Sequence, residues 1–288
     1  MIIVRKGAMG DVIMLTPAIR ELRLQYPKEF IGIQTDCVEV FLNNPYVNVV
    51  SANLSKPNEK IIVLDGAYEK NFDRHPVDVY SEILNIKLSS KRTEIFHSYN
   101  DRNCINALLE KMILKKDLKT IILHFGLTWV PLQPEKFDEL IDKLYKKYNL
   151  ILIGQRNHTE YYPKNNSKVI DLTNIRLSTQ QIAWIIEKAD LYFGTDTGIM
   201  HVAGTTSTPI CCCFGYINPE YRKPFRDKNI QFVSINASQY CDTPFCAEKR
   251  KKKTQNGDFA GVDCNKCYAC AQGITSEMMF DAIEKILE

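Results

Sequence analysis

The opening stretch IIVRKGAMGD, residues 2–11, decides the fold, because three β-branched residues precede a turn that holds two glycines and an acid. Ile2-Ile3-Val4 predicts a buried strand, and a helix is expected to begin at or just after the turn. Residues 30–34 predict a second strand, so the chain opens with the β-α-β unit of a parallel sheet. Pro17 leaves two interpretations of the intervening helix: Thr16 caps it and Pro17 takes the first position, or it begins near Asp11 and kinks.

The same alternation continues along the chain. Ile61-Ile62-Val63-Leu64 predicts another buried strand, and the charged interval 111–119 is taken as the boundary between two halves. Beyond it, strands are predicted at residues 121–123, 150–153, 191–193 and 209–214, and helices at 134–148, at 178–189 and after Ser276. We therefore predict an α/β protein with two doubly wound domains, 1–115 and 120–288, that face a cleft.

Composition sets the broad class. The chain has 288 residues, a hydrophobic fraction of 45%, a charged fraction of 25% and a net charge of +3. These values are typical of a globular protein with a large core, and the charge predicts no nucleic-acid partner. No secretory leader and no apolar run of membrane-spanning length are visible, so we expect a cytoplasmic protein. Peripheral association with the inner face of the membrane is compatible with that expectation.

Two strand–turn–helix junctions carry the candidate chemistry. In the first, Gly10 allows close backbone approach and Asp11 adds a carboxylate at the carboxyl edge of the sheet, where α/β proteins bind ligands. The second is Asp196-Thr197-Gly198-Ile199-Met200-His201, where backbone amides can hold a phosphate and His201 can add a hydrogen bond. The alternative is structural, with Asp11 as a helix cap and His201 as a buried histidine. An acid on one wall and a phosphate site on the other suit displacement of a nucleoside diphosphate.

The motifs resemble those of glycosyltransferase family 9, the heptosyltransferases. The resemblance is carried by residues 7–22, by Asn44-Pro45-Tyr46-Val47, by residues 129–140, by residues 194–201 and by residues 208–215. It implies a GT-B fold with two Rossmann-like domains, the second of which binds the nucleotide sugar. It also implies inverting transfer of a heptose-type sugar, with an ADP-heptose donor favoured, to a hydroxyl of a glycan or of the lipopolysaccharide core.

The resemblance also implies roles for individual residues. Asp11 matches the catalytic base, and the donor would be bound by Gly10 together with residues 196–201. Thr128 stands near the place where family members often carry a lysine, and Glu160 matches the acid that contacts the nucleoside. Tyr68 and His75 are predicted on the acceptor side, with ordinary loop packing as the alternative. The sequence has no Asp-x-Asp pair, which agrees with catalysis that needs no metal or other cofactor.

Five of the ten cysteines lie in residues 241–270. Cys264 and Cys267 form a close pair, and Cys241 and Cys246 a looser one, as in tetrahedral sulfur sites. We predict a structural zinc there, or iron with the same ligands, with Cys270 as an alternative ligand. The other interpretation is reduced thiols without metal. The basic run at residues 249–253 suits contact with anionic lipid or phosphorylated glycan, or is a solvated loop.

Three other functions compete with this prediction. A nucleic-acid-binding module could be built on the cysteine-rich tail, but that signature covers only the last fifth of the chain. A GT-B-like binding protein without catalysis would explain the missing lysine, although Asp11 is retained. A GT-B enzyme acting on another nucleotide sugar, an epimerase or a transferase using a UDP- or GDP-sugar, would share the same fold. No residue in the sequence reads the base or the sugar directly.

Overall fold

The chain was analysed as a computed structural model, which describes residues 1–69, 73–112, 114–127, 130, 132–155, 160–163, 166–241, 245 and 269–288. Two parallel β-sheets organise these residues, and each sheet is flanked by helices. The prediction of an α/β protein with two doubly wound halves is therefore confirmed.

The first sheet has the strand order β3-β2-β1-β4, and every pairing is parallel. Its strands are β1 Ile2–Val4, β2 Gly32–Gln34, β3 Val49–Ser51 and β4 Ile61–Val63. The helices of this part of the chain are α1 Met9–Met14, α2 Thr16–Gln25, α3 Pro76–Ile83 and α4 Tyr99–Lys111. Because β1 is central and fully buried, the turn that follows it opens at the middle of the sheet edge.

The second sheet has the order β10-β9-β8-β5-β6-β7, again with parallel pairs. Its strands are β5 Thr120–His124, β6 Asn149–Leu152, β7 Ile170–Asp171, β8 Leu191–Thr195, β9 Ile210–Cys213 and β10 Phe232–Ile235. Its helices are α5 Glu135–Leu144, α6 Thr179–Glu187, α7 Gly198–Gly204, α8 Ala269–Gln272 and α9 Ser276–Leu287. The adjacent central strands β5 and β8 both end at the cleft, so their last residues lie side by side.

The first predicted helix is two helices. α1 ends at Met14 and α2 begins at Thr16, with Leu15 between them and Pro17 in the first turn of α2. The Thr16 hydroxyl donates to the carbonyl of Ile13 at 2.8 Å, which takes up one carbonyl that the break leaves without a helical partner. The proline therefore lies in the first turn of a new helix, but neither interpretation holds in full. Leu15, and not Thr16, is the N-cap of α2, and the helical segment already begins at Met9 and breaks at Leu15.

Two helices have packing partners that the sequence did not indicate. α9 packs against α5 and against the second sheet, within its own half. α4 precedes the predicted boundary yet packs on α6 of the second half, where Trp184 donates to Asn106 at 3.0 Å. Among the helices of the described residues, none has both the length and the apolar character that crossing a bilayer requires.

Candidate active site

A cavity of about 410 Å³ lies between the two halves, at the carboxyl ends of β1, β5 and β8. Its lining includes most of the predicted site residues: Gly10, Asp11, Tyr68, Glu160, Asp196, Thr197, Gly198, Ile199 and His201. Residues that lie far apart in the sequence therefore meet at one place. This is the switch-point position where open α/β sheets bind ligands.

Asp11 is the acid on the first wall, and two side chains fix its orientation. Arg5 Nη2 donates to Asp11 Oδ2 at 2.5 Å, and the Tyr68 hydroxyl donates to Asp11 Oδ1 at 2.7 Å. Arg5 also contacts Glu69 at 2.6 Å and Asp65 at 3.6 Å, so three carboxylates share its charge. Burial raises the pKa of the Asp11 carboxyl above its usual value, although Arg5 and Tyr68 oppose the shift. Each carboxylate oxygen keeps a lone pair for another donor.

The two junctions touch each other because each has a glycine at the contact. A Cβ atom on Gly10 would lie 2.5 Å from Cδ2 of the His201 ring, closer than real Cβ contacts. A Cβ atom on Gly198 would lie 2.8 Å from Cε of Met9 and 3.6 Å from the backbone nitrogen of Gly10. The acid and the predicted phosphate site are therefore held on facing walls within one small cavity.

The second wall carries a chain of polar contacts. The Thr197 hydroxyl lies 3.2 Å from Nδ1 of His124, and His124 Nε2 lies 3.4 Å from Glu160 Oε1. Burial opposes charge at Glu160, but His124, the Tyr162 hydroxyl and the Gln155 amide outweigh it and lower the pKa of that carboxyl. Glu160 is therefore ionised at neutral pH. A carboxylate in this position can accept hydrogen bonds from sugar hydroxyls.

His201 is 5% exposed, and its Nδ1 atom has no hydrogen-bond partner among the described residues. Burial, together with His75 and Arg222, lowers the pKa of His201 to about 3. The ring is therefore neutral at physiological pH and can supply the predicted hydrogen bond without a positive charge. A buried ring nitrogen without a partner at a cavity wall is a position where a ligand can complete the hydrogen bonding.

Other predicted site residues lie elsewhere. Met200 is fully buried in the core and does not line the described cavity. His75 caps α3 by accepting from the amide of Val77 at 3.3 Å, and its Nε2 lies 3.0 Å from the carbonyl of Lys223. His75 therefore joins the halves beside the cavity, and its predicted acceptor contact stays a prediction.

Some predicted residues lie outside the described part of the chain: Thr128, Cys246, Cys264 and Cys267. Of the remaining cysteines in the predicted metal set, Cys241 packs against a small cluster that contains Cys270 and Ile217. Within the described residues no group of three or more metal-binding side chains occurs. The metal at the cysteine-rich segment stays a prediction.

Sequence reasoning missed four residues that line the site or orient its acid: Arg5, Glu39, His124 and Arg222. His124 is the last residue of the buried strand β5, which ends at the cleft, and this position was a usable signal. Glu39 accepts from both the amide and the hydroxyl of Thr179 at 2.9 Å, across the two halves. Such long-range partners leave no local pattern in the sequence.

Asp196 begins the second junction, and its carboxyl is 6% exposed. Burial raises the pKa of Asp196 from 3.8 to about 6, although Arg222 lowers it in part. The folded protein therefore loses stability as pH rises from the unfolded pKa through about 6, because the unfolded chain ionises more readily. The shift of about two units corresponds to about 3 kcal/mol at most.

Asp196→Asn is accordingly expected to raise the free energy of unfolding by up to about 3 kcal/mol at pH 8, and to change it little near pH 4. Urea unfolding at pH 4, 6 and 8 measures both values. A difference between variant and wild type that is the same at all three pH values would show that charge burial is not the cause. Glu187→Gln, which removes an exposed carboxylate that accepts from Ser207, is the matched control.

Comparison with known proteins places this cleft in a known class. The model of glycosyltransferase family 9 (heptosyltransferase) matches residues 132–252. Lipopolysaccharide heptosyltransferase 3 of Escherichia coli is 19% identical over 77% of this chain and 85% of its own length. Among solved structures, a family 9 glycosyl transferase from Veillonella parvula aligns with a TM-score of 0.71 at 16% identity, covering 99% of this chain and 96% of the other.

A third similar structure is TibC of enterotoxigenic E. coli, a dodecameric iron-containing heptosyltransferase solved with ADP-D-β-D-heptose. It aligns with a TM-score of 0.70 at 13% identity and covers 99% of this chain and 75% of TibC. The fold and the cleft thus define a GT-B glycosyltransferase. Residues 132–252 carry the match to glycosyltransferase family 9, the family that the motifs indicated.

Proposed function

We propose that this glycosyltransferase moves a heptose-type sugar from an ADP-linked donor to a hydroxyl of a glycan or of the lipopolysaccharide core. Transfer would invert the anomeric centre and need no metal ion. One observation carries the proposal: Asp11 and the junction at residues 196–201 face each other across one cavity, held together at Gly10 and Gly198.

The reaction follows from that arrangement. The acceptor hydroxyl gives its proton to Asp11 as its oxygen attacks the anomeric carbon of the donor. The bond between that carbon and the diphosphate oxygen breaks, and the electron pair leaves with the diphosphate. Attack from the Asp11 wall, opposite the leaving group, gives inversion. Backbone N–H groups around Thr197 and Gly198 would stabilise the charge that develops on the leaving group.

The donor assignment draws on the site and on relatives. Glu160 is ionised and lies beside the cavity, where it suits the hydroxyls of a nucleoside ribose. TibC was solved with ADP-D-β-D-heptose, and the E. coli relative is a lipopolysaccharide heptosyltransferase. These matches support an ADP-heptose donor and a lipopolysaccharide-type acceptor. The structural zinc or iron predicted at the cysteine-rich segment is part of this proposal, with no part in the transfer step.

Nucleotide binding tests the proposal most directly. Among ADP, UDP, GDP and CDP, we expect ADP to bind most tightly by calorimetry and to raise Tm most. A ligand at a hundred times its Kd stabilises the folded state by about 2.7 kcal/mol, which a thermal-shift assay resolves readily. Preference for UDP, GDP or CDP would retain the fold and overturn the donor. Binding of none of the four would favour a GT-B-like protein without catalysis.

A further inference from the structure

His124 lies between two polar side chains of the second wall of the cavity. It is the last residue of β5, is 2% exposed and lines the cavity. Its Nδ1 atom lies 3.2 Å from the hydroxyl of Thr197, in the predicted phosphate site. Its Nε2 atom lies 3.4 Å from Oε1 of Glu160, the acid that suits the ribose of the nucleoside. One ring therefore contacts a residue of the phosphate site and a residue of the nucleoside site.

Two glycines leave room for this ring and its partners. A Cβ atom on Gly126 would lie 3.5 Å from Cε1 of His124 and would collide with Cγ2 of Thr197. A Cβ atom on Gly154 would lie 3.4 Å from Cδ2 of the ring and would collide with Oε2 of Glu160. The backbone at each glycine thus holds one partner beside the ring, and a side chain at either position would displace that partner.

The carboxylate of Glu160 divides its two oxygens between two tasks. Oε2 accepts from the amide of Gln155 at 2.9 Å and from the hydroxyl of Tyr162 at 2.7 Å. Oε1 faces His124, and among the described residues no other side chain contacts it. Oε1 is therefore the oxygen left to accept from a ribose hydroxyl, and its direction depends on the ring.

The site also fixes the direction of the hydrogen bonds along this chain of contacts. Glu160 is ionised, so its carboxylate only accepts, and the proton of a neutral ring lies on Nε2. Nδ1 then accepts, and the Thr197 hydroxyl donates to it. Nε2 is buried and makes no hydrogen bond of good geometry to any described residue, because 3.4 Å is long for such a bond. Neither ring nitrogen is thus left for a ligand.

We propose that His124 is a positioning residue for the sugar nucleotide: it holds Oε1 of Glu160 toward the ribose and the Thr197 hydroxyl beside the diphosphate. This inference rests on the proposed function and deepens it. The two ring nitrogens lie on different sides of one rigid ring, so they fix the separation of the two partners. Groups that are already in place cost less ordering when a ligand binds, and the affinity for the nucleotide rises accordingly.

Two substitutions of His124 each keep one of its two contacts. The amide of His124→Gln reaches as far as Nε2 and can still donate to Glu160. The amide of His124→Asn reaches only as far as Nδ1 and can still accept from Thr197. By calorimetry with the full-length protein, we expect His124→Asn to raise the Kd for adenosine and for ADP by about 10-fold, because both ligands carry the ribose. We expect His124→Gln to raise the Kd for ADP by about 10-fold and to leave the Kd for adenosine unchanged, because only ADP reaches Thr197.

A double variant shows whether His124 acts through Glu160. Glu160→Gln alone should raise the Kd for adenosine by about 10-fold, and the addition of His124→Asn should raise it no further, because both changes remove the same contact. His97→Asn is the matched control, since His97 is a half-buried histidine that contacts the carbonyl of Gln180 and does not line the described cavity. Its Kd values for both ligands should equal those of the wild type.

Four results would overturn the inference, and three of them leave the proposed function standing. Binding by both His124 variants that equals binding by His97→Asn would remove His124 from the donor site. Equal losses for adenosine and ADP in His124→Gln would show that the ring acts through packing alone. Additive losses in the double variant would show that it does not act through Glu160. A wild-type protein that binds no nucleoside diphosphate would overturn the proposed function, and this inference with it. If His124→Asn does not fold, His124→Gln decides alone, through a loss confined to ADP.

Discussion

Asp11→Asn is expected to lower kcat by about 10²- to 10⁴-fold, the usual contribution of a general base, and to leave ADP binding nearly unchanged. The amide has the shape of the carboxylate but cannot take the proton of the acceptor hydroxyl. Its carbonyl can still accept from Arg5, and the Tyr68 hydroxyl can rotate to accept from the new NH₂ group, so the packing is kept. Initial rates with saturating donor and acceptor, beside calorimetry with ADP, measure the two effects separately.

Asp65, the third carboxylate beside Arg5, provides the control for this variant. Asp65 lies 3.6 Å from Arg5 but does not line the described cavity, so Asp65→Asn should retain turnover close to that of the wild type. The wild-type rate should also fall as pH drops through the raised pKa of Asp11, since the protonated acid cannot accept a proton. Turnover by Asp11→Asn within severalfold of the wild type would remove Asp11 as the base.

Gly10→Ala is expected to have the second large effect, because the added methyl group would push the two walls of the cavity apart. The new Cβ would lie 2.5 Å from the buried ring of His201, so we expect α1 and α7 to shift away from each other. A displacement of about 1 Å between reacting groups can cost about 10²-fold in rate, and overpacking of this kind typically costs 1–3 kcal/mol of stability. We therefore expect turnover to fall by about 10²-fold and Tm to drop. Steady-state kinetics and thermal unfolding measure the two effects.

The same motif supplies the control. A Cβ atom on Gly7 would meet nothing within 4 Å, so Gly7→Ala should leave turnover and Tm unchanged. Adding His201→Ala to Gly10→Ala removes the obstructing ring, and the double variant should recover stability. Equal losses in Gly7→Ala and Gly10→Ala would mean that the turn itself, and not contact across the cavity, limits this position.

The alternation of strands and helices was predictable, because each buried strand is a short β-branched or apolar run and parallel order follows from it. Asp11 was predictable for the same reason, since it follows the first such strand. Arg222 was not, because its partners Tyr68 and Arg74 are about 150 residues away in the sequence.

Local pattern also misplaced one residue within a motif that was otherwise assigned well. Met200 belongs to the same six-residue junction as Thr197 and Gly198, yet its side chain points into the core. A motif gives the positions of a turn but not the direction of each side chain, which depends on the rotation of the short helix α7 against the sheet.

The packing of α4 fixes where the enzyme can bend. Arg20 donates to the carbonyls of Ser90 and Arg92, and Thr16 accepts from the amide of Glu94, which tie residues 90–94 to the first half. Only a few residues later, His97 contacts the carbonyl of Gln180 in the second half. A relative motion of the two halves would therefore turn about residues 95–97, and α4, which packs on α6, would move with the second half.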